Sequence, residues 1–536
     1  MNPTRPNLPL KLVLPILFVF ACVSALSLHY HELFLDEAHH FLVSRDSSSL
    51  ADLYSNLRYD GHPRLWGALL FVLTHYVSVS PVAMQVLHLL LAVAAAFVLL
   101  RYGPFPLWVK ILILSGYYFL FEYNWLSRNY VLGILLLFIC CQLLRDPKKN
   151  LIRIGVLLVL LCCTHMFYTF ASIGIFFYLV IWFLQQGGGV RRGRFGVLSL
   201  FFLAGLGLAL IQARTPPRSE NVNLTPVLAG EWLSMKNFSF AVYGVIRGWL
   251  PVPQVNGAHF WNSYWLSPGN IGGSFAGALF VLFLVFPALF LWKKAGPLVF
   301  YYTGAGLLFV FFVVTQMTAS RYFGMVYIYF LAAAWMGADD SGPVFSLAAI
   351  PWNRRAGRLL QVVLAGVLAI HVVVGVYALE QDIRWPFSQA RNTADYLRTL
   401  QPSGRVVVVD GYNSGPQLCA YLGGRVFYLT TGAEGSFCVW RRAYFPTPRP
   451  SIDEEVERNP GLRRLGEFIL VSNRRLGADS IRSAGGVGLA GSAGTSGVGL
   501  AGGGGTAGGG FRLTALRYFE NSITGENYYV YQADPL

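Results

Sequence analysis

Uncharged apolar blocks recur along this chain at lengths that can cross a bilayer, and they constrain the fold more than any motif does. Leu12 to Leu28 carries no charge, and Ile271 to Trp292 and Ala295 to Ser320 are longer still. About 20 apolar residues in a helix span the roughly 30 Å of bilayer hydrocarbon. Lipid offers no partner to an unpaired backbone amide, so such blocks are helices. The chain of 536 residues is 55% hydrophobic and 12% charged, a balance foreign to water-soluble domains. Its formal charge of +15 sits in short loops between the blocks. That distribution fits membrane orientation and argues against a nucleic-acid partner.

Basic clusters fall at Arg101 to Lys110, Arg145 to Arg153, Arg191 to Arg194, Lys293 to Lys294 and Arg354 to Arg358. Placed on the cytoplasmic side, they predict about eleven spans: 10–28, 82–100, 107–121, 130–144, 151–165, 169–185, 195–212, 272–292, 297–317, 322–338 and 359–378. The N-terminus is then inside and the C-terminus outside. Leu65 to Val79 is the apolar run that does not fit, because counting it would turn every later basic cluster outward. It reads as a juxtamembrane or re-entrant helix on the outer face. The N-terminal block also fits a cleavable signal, which would leave the later topology unchanged.

The outer surface is thus a first loop over 29–80, a short loop at Glu122 to Asn129, a loop over 213–270 and everything after about 379. Residues 379–536 read as a small α/β domain, with a helix-like stretch Phe387 to Leu400 and a β-branched run Arg405 to Asp410. Within it, 484–510 is almost entirely Gly, Ala, Ser, Val and Leu. Such a composition buries too little apolar surface to offset its ordering entropy, so a disordered insertion is expected. Cys22, Cys140, Cys141, Cys162 and Cys163 lie in apolar blocks, whereas Cys419 and Cys438 lie in the C-terminal region. There a disulfide and two buried thiols both fit.

Chemistry is sought on the outer side. The first loop holds Asp36-Glu37-Ala38-His39-His40 and then Asp60-Gly61-His62-Pro63-Arg64. A carboxylate there suits a general base acting on a hydroxyl, and it equally suits a solvated loop. Glu122 to Tyr130 combines an acid, Arg128 and aromatics that also serve as interface anchors. Arg128 has the fork geometry for a phosphate. His165 lies at the outer end of its span and reads as a core or a site histidine. Arg321, in Ser320-Arg321-Tyr322, either snorkels or holds an anion. The 213–270 loop adds Arg214, Arg218, Arg247, His259, Trp249, Trp261 and Trp265, suited to phosphate and sugar or to the membrane interface.

Taken in order, these features resemble the GT-C fold glycosyltransferases, in the bacterial branch of the protein O-mannosyltransferases and the aminoarabinose transferase of lipid A (glycosyltransferase family 39-like). The residues that carry the resemblance are Asp36-Glu37, His62-Pro63, Ser127-Arg128-Asn129-Tyr130, Ser320-Arg321-Tyr322 and Glu526-Asn527-Tyr528-Tyr529-Val530-Tyr531. The resemblance implies an all-α polytopic membrane bundle with a small C-terminal α/β extracytoplasmic domain, in a bacterial cytoplasmic membrane. It also implies sugar transfer from a polyprenyl-phosphate donor to a glycan, lipid or protein acceptor on the outer face. Asp36 would be the base, with Glu37 and Glu122 as assisting acids. His62, Arg128, Tyr130, His165, Arg321 and Tyr322 would bind substrate. A divalent metal is a candidate cofactor, with His259 its contact where some relatives bind one. In the commonest pattern an acid stands two residues before the arginine, where this chain has Leu126, which leaves the role of Glu122 open. A transporter or flippase of a lipid-linked glycan is the alternative, and it predicts charges deep within the spans. A noncatalytic glycan-lipid receptor is a third reading.

Overall fold

The computed structural model describes residues 7–186, 192–217, 219–222, 234–338, 354–400, 405–463, 465–476, 504–507 and 511–535. The helices with a part in the argument are α1 (Leu10–Tyr30), α2 (Leu35–Asp46), α3 (Leu50–Asn56), α4 (Leu65–Tyr76), α5 (Pro81–Tyr102), α6 (Leu107–Leu114), α7 (Asn129–Leu143), α8 (Pro147–Thr164), α9 (Met166–Gln185), α10 (Arg192–Gln212), α11 (Met235–Trp249), α12 (Gly273–Phe290), α13 (Ala295–Thr315), α14 (Ser320–Phe323), α15 (Met325–Met336), α16 (Arg354–Arg384), α17 (Ala390–Leu400) and α18 (Gly415–Leu422). Among the described residues, seven helices are long and apolar enough to cross a membrane: α1, α5, α9, α10, α12, α13 and most of α16. Helix starts follow local chemistry, in the spanning α5 and in α8. Ser80 accepts the Val82 amide ahead of Pro81, and Asp146 accepts the Lys149 amide ahead of Pro147.

Two expected spans are broken, each where a glycine lets two segments pack closely. The 107–121 segment ends α6 at Leu114 and resumes as a π-helical turn, Tyr118–Glu122. A Cβ on Gly375 of α16 would lie 2.9 Å from the Ser115 carbonyl oxygen, so the two backbones touch at the break. The 322–338 segment divides into α14 and α15 at Gly324, where a Cβ would lie 2.2 Å from the Tyr118 ring. The run at 65–79 forms α4, 12 residues long and packed on α2. That is about 18 Å at 1.5 Å per residue, too short to span.

The 213–270 region departs further from expectation. It is no simple loop, because α11 lies within it and packs on α12 and α13, burying Ala241, Val245 and Trp249. Arg247, expected on an open loop, is buried, with Nε donating to the Leu266 carbonyl and the guanidinium 4.2 Å from the Tyr264 ring centre. Arg218 lies outside the described residues.

The C-terminal region builds one mixed sheet from β1 (Val406–Asp410), β2 (Val426–Tyr428), β3 (Ala433–Gly435), β4 (Phe468–Ser472), β5 (Gly504–Ala507), β6 (Phe511–Phe519) and β7 (Tyr528–Pro535). The strand order is β3-β2-β1-β4-β7-β6-β5, with β1 parallel to β2 and β4 and the other pairings antiparallel. β5 falls inside the stretch expected to be disordered. Its main chain pairs with β6, which requires nothing of its small side chains; the remainder of 484–510 lies outside the described residues. Cys419 and Cys438 are free, buried thiols.

This sheet is joined to the first loop by a common core. Phe41 and Leu42 of α2 and Trp66 of α4 cluster with Val409, Leu418 and Val530. If this core lies outside the bilayer, its burial draws on the hydrophobic effect, about 1.5 to 3 kcal/mol for each large side chain. The membrane helices below gain none of that against lipid and rely on close packing. Polar ties complete the joint: Glu32 accepts the Phe387 amide at 2.7 Å, and Tyr421 accepts the Leu33 amide at 2.7 Å.

Candidate active site

Leu8, Arg101, Lys110 and Arg145 meet around one pocket at the end of the bundle where α1 begins. Asp36, Arg128 and Arg321 meet at the opposite end. Arg101, Lys110 and Arg145, from the first two basic clusters, are therefore separated from the candidate site by the length of the helices.

Asp36 lies in the first turn of α2. Phe34 has no side chain to cap that helix, so two carboxylates do so. Glu37 accepts the Phe34 amide at 3.3 Å, and Glu526 accepts the Leu35 amide at 2.9 Å. With the turn fixed from both sides, Asp36 Oδ2 meets Arg321 Nη2 at 3.0 Å, and Arg128 Nη1 donates to the Asp36 carbonyl at 2.8 Å. Burial raises the Asp36 carboxyl, but Arg128 and Arg321 outweigh it and hold it below the usual carboxylate range. Both arginines keep unused donors: Arg128 Nε, and Arg321 Nε and Nη1, are buried without partners. Buried guanidinium groups with free donors suit an anion.

Asp36, Arg128, Arg321 and Tyr322 line a cavity of about 340 Å³ together with His39, His40, Asp60 and His62. His39 Nε2 is 3.3 Å from Asp60 Oδ2. Burial opposes its charge, but Asp60 and Cys438 prevail and raise it to about 10. His62 is pushed the other way, to about 4, by burial and then by Arg128, and His40 is driven well down by the same causes. Neutral His62 stacks on His165 with ring centres 4.8 Å apart. The cavity thus carries three cations against two carboxylates and has neutral imidazoles in its wall.

A second, more open cavity of about 480 Å³ shares Asp36, Arg321 and Tyr322 with the first and adds Phe34, Trp261, Asn262, Thr524 and Glu526. Trp261 donates its indole N–H to Glu122 Oε2 at 3.0 Å, and the same oxygen accepts the Tyr117 hydroxyl at 2.6 Å.

The sequence-predicted residues divide accordingly. Asp36, His62, Arg128, Arg321 and Tyr322 converge on the cavities, and His165 stands behind His62. Glu37 turns away: its Oε1 accepts the Ser127 amide at 2.6 Å, and its Oε2 lies 3.2 Å from His31 Nε2. Successive residues on a helix point about 100° apart, so Asp36 and Glu37 cannot face one site. Glu122 sits behind Trp261, outside both cavity walls. Tyr130 is buried, its carbonyl accepting the Tyr168 hydroxyl. His259 is exposed and lines neither cavity, and among the described residues no group of three His, Cys, Asp or Glu side chains could hold a metal. These residues do not fit a metal at His259. Sequence reasoning assigned no role to Asp60, although its acid-glycine-histidine run was visible, nor to Glu526.

The fold and site together define a polytopic helical membrane protein with an acid and two arginines at one end of its bundle, capped by an α/β domain. Among solved structures, the chain is similar to ArnT from Cupriavidus metallidurans bound to undecaprenyl phosphate, at 13% sequence identity and a TM-score of 0.44, over 86% of this chain and 93% of that one. No protein-family model and no curated protein sequence matches the chain.

Proposed function

We propose that the protein is a membrane glycosyltransferase that moves a sugar from a polyprenyl-phosphate donor to a hydroxyl acceptor, with Asp36 as general base. One observation carries this reading. A half-buried carboxylate is paired at 3.0 Å with a buried arginine whose remaining donors are unfilled, beside a second such arginine, in one cavity. The donor phosphate takes the free N–H groups of Arg128 and Arg321, where exclusion of water strengthens each bond. The acceptor oxygen bonds to the anomeric carbon and gives its proton to Asp36. The bond from the anomeric carbon to the phosphate oxygen breaks, and its electron pair stays on that oxygen. Polyprenyl phosphate leaves with one more negative charge, neutralised by the arginines, and Asp36 returns its proton to water. Attack opposite the leaving group inverts the anomeric centre.

The site is assigned to the extracytoplasmic face of a bacterial cytoplasmic membrane, an orientation supported by Arg101, Lys110 and Arg145 of the first two basic loops at the other end of the bundle. The test is a transfer assay in membranes with a panel of polyprenyl-phosphate sugars, comparing wild type with Asp36→Asn. Loss of a positioned base lowers turnover by about 10² to 10⁴. Full turnover in the variant rejects Asp36 as base.

A further inference from the structure

The two cavities meet at Asp36 and Arg321 and differ in charge. The first gathers His39, Arg128 and Arg321 against Asp36 and Asp60. The charged side chains of the second are Asp36, Glu526 and Arg321, and the arginine is already paired with Asp36. Arg321 is 7% exposed and keeps Nε and Nη1 without partners, so this junction is built to meet polar groups from outside the chain.

Glu526 reaches the site from the turn between β6 and β7, where Thr524 lines the same cavity. One oxygen accepts the Leu35 amide. The other, Oε2, is screened from solvent, and the Ser388 and Gln417 side chains interact with the carboxyl. Glu526 is nonetheless part of the cavity wall, where a carboxyl suits a hydroxyl from a ligand. Burial raises this carboxyl to about 7, so it can accept from a hydroxyl or donate to one. The rest of the wall is aromatic or neutral, through Phe34, Trp261, Tyr322 and Asn262.

We infer that the second cavity is the acceptor subsite, that Glu526 of the C-terminal domain holds the acceptor there, and that the acceptor is a neutral polyhydroxy compound rather than a phosphate monoester. The inference rests on the glycosyltransfer reading, since it gives the cavity beyond Asp36 to the second substrate. A phosphate placed there would face Asp36 and Glu526 with Arg321 as the one cation in the wall, whereas the first cavity offers it Arg128, Arg321 and His39. A hydroxyl meets Glu526 on one side and Asp36 on the other.

The test needs no turnover. Full-length protein in lipid nanodiscs is photolabelled with a diazirine-bearing hexyl glycoside, and the labelled peptides are mapped. Wild type should label peptides that contain Trp261 or Thr524, with hexyl glycoside competing at least tenfold better than hexyl phosphate. Glu526→Ala should lower labelling about tenfold, the size of one lost hydrogen bond to a charged group. Because Glu526 also caps α2, Glu526→Gln provides the second reading. It keeps an acceptor oxygen for Leu35 but removes the charge, and should improve competition by hexyl phosphate about tenfold. Labelling unchanged in Glu526→Ala, better competition by hexyl phosphate in wild type, or an unaltered preference in Glu526→Gln would each overturn the inference. A wild type that labels as expected but transfers no sugar would sink the glycosyltransfer reading and leave the hydroxyl-binding cavity standing.

Discussion

His31 lies fully buried between two carboxylates, with Nε2 3.2 Å from Glu37 and Nδ1 3.3 Å from Asp382, and so ties the end of α1 to α2 and to α16. Substituting His31→Phe keeps an aromatic ring but leaves both acids without their cation. Asp382 is the more exposed to this loss, because its other oxygen already has no partner. Removing one member of a buried, hydrogen-bonded charge network costs about 3 to 5 kcal/mol. Burial opposes the imidazolium, yet Glu37 and Asp382 overcome it and raise the group from 6.5 to about 10. A raised histidine contributes stability that is fully present below its unfolded value near 6.5 and is lost as pH rises through about 10. The gap between wild type and variant should therefore be widest near pH 6 and shrink toward pH 10. Denaturant unfolding in mixed micelles, followed by tryptophan fluorescence at several pH values, measures it. The triple variant His31→Phe, Glu37→Gln, Asp382→Asn, which removes all three charges, should recover part of the loss. A deficit below about 1 kcal/mol, or a triple variant less stable than the single one, would refute the charge-network account.

Arg321→Ala should raise the donor KM about tenfold or more, the weight of a charge-assisted hydrogen bond. It should also move the acid limb of the rate profile to higher pH, since Arg321 helps to hold the Asp36 carboxyl down; a KM unchanged across a donor titration would leave Arg321 a structural group. Glu37→Gln should behave differently from Asp36→Asn, reducing unfolding stability through His31 while folded molecules keep most of their turnover, as single-turnover rates normalised to folded protein would report.

The long helices were legible because nothing but a helix satisfies an uncharged run in lipid, and the structure returns α1, α5, α9, α10, α12, α13 and α16 where the apolar blocks lie. Breaks inside a block were not legible. The break at Gly324 and the one at Ser115, against Gly375 of α16, reveal themselves only when Tyr118 and the α16 backbone are beside them. α11 was hidden for another reason. Its apolar face, Ala241, Val245 and Trp249 at four-residue spacing, was present in the sequence, but its tryptophan and arginine read as interface residues. In the site, the first-loop acid and the two arginines could be read from residue type and side of the membrane. The separate fates of Asp36 and Glu37 could not, because they depend on a helix turn that begins at Leu35. The Glu526 motif stood out in the sequence, but its contact with Leu35 did not, since no local pattern announces a contact across 491 positions.

That span has a consequence for how the protein is made. The amide of Leu35 emerges early in synthesis, and the carboxylate that fixes it arrives only after the intervening helices have been inserted and the sheet has assembled around β7. Until then the first turn of α2 lacks one of its two caps, and the open wall beside Asp36 is missing Thr524 and Glu526. A chain without its last strands would hold its apolar helices and still lack part of this cavity wall.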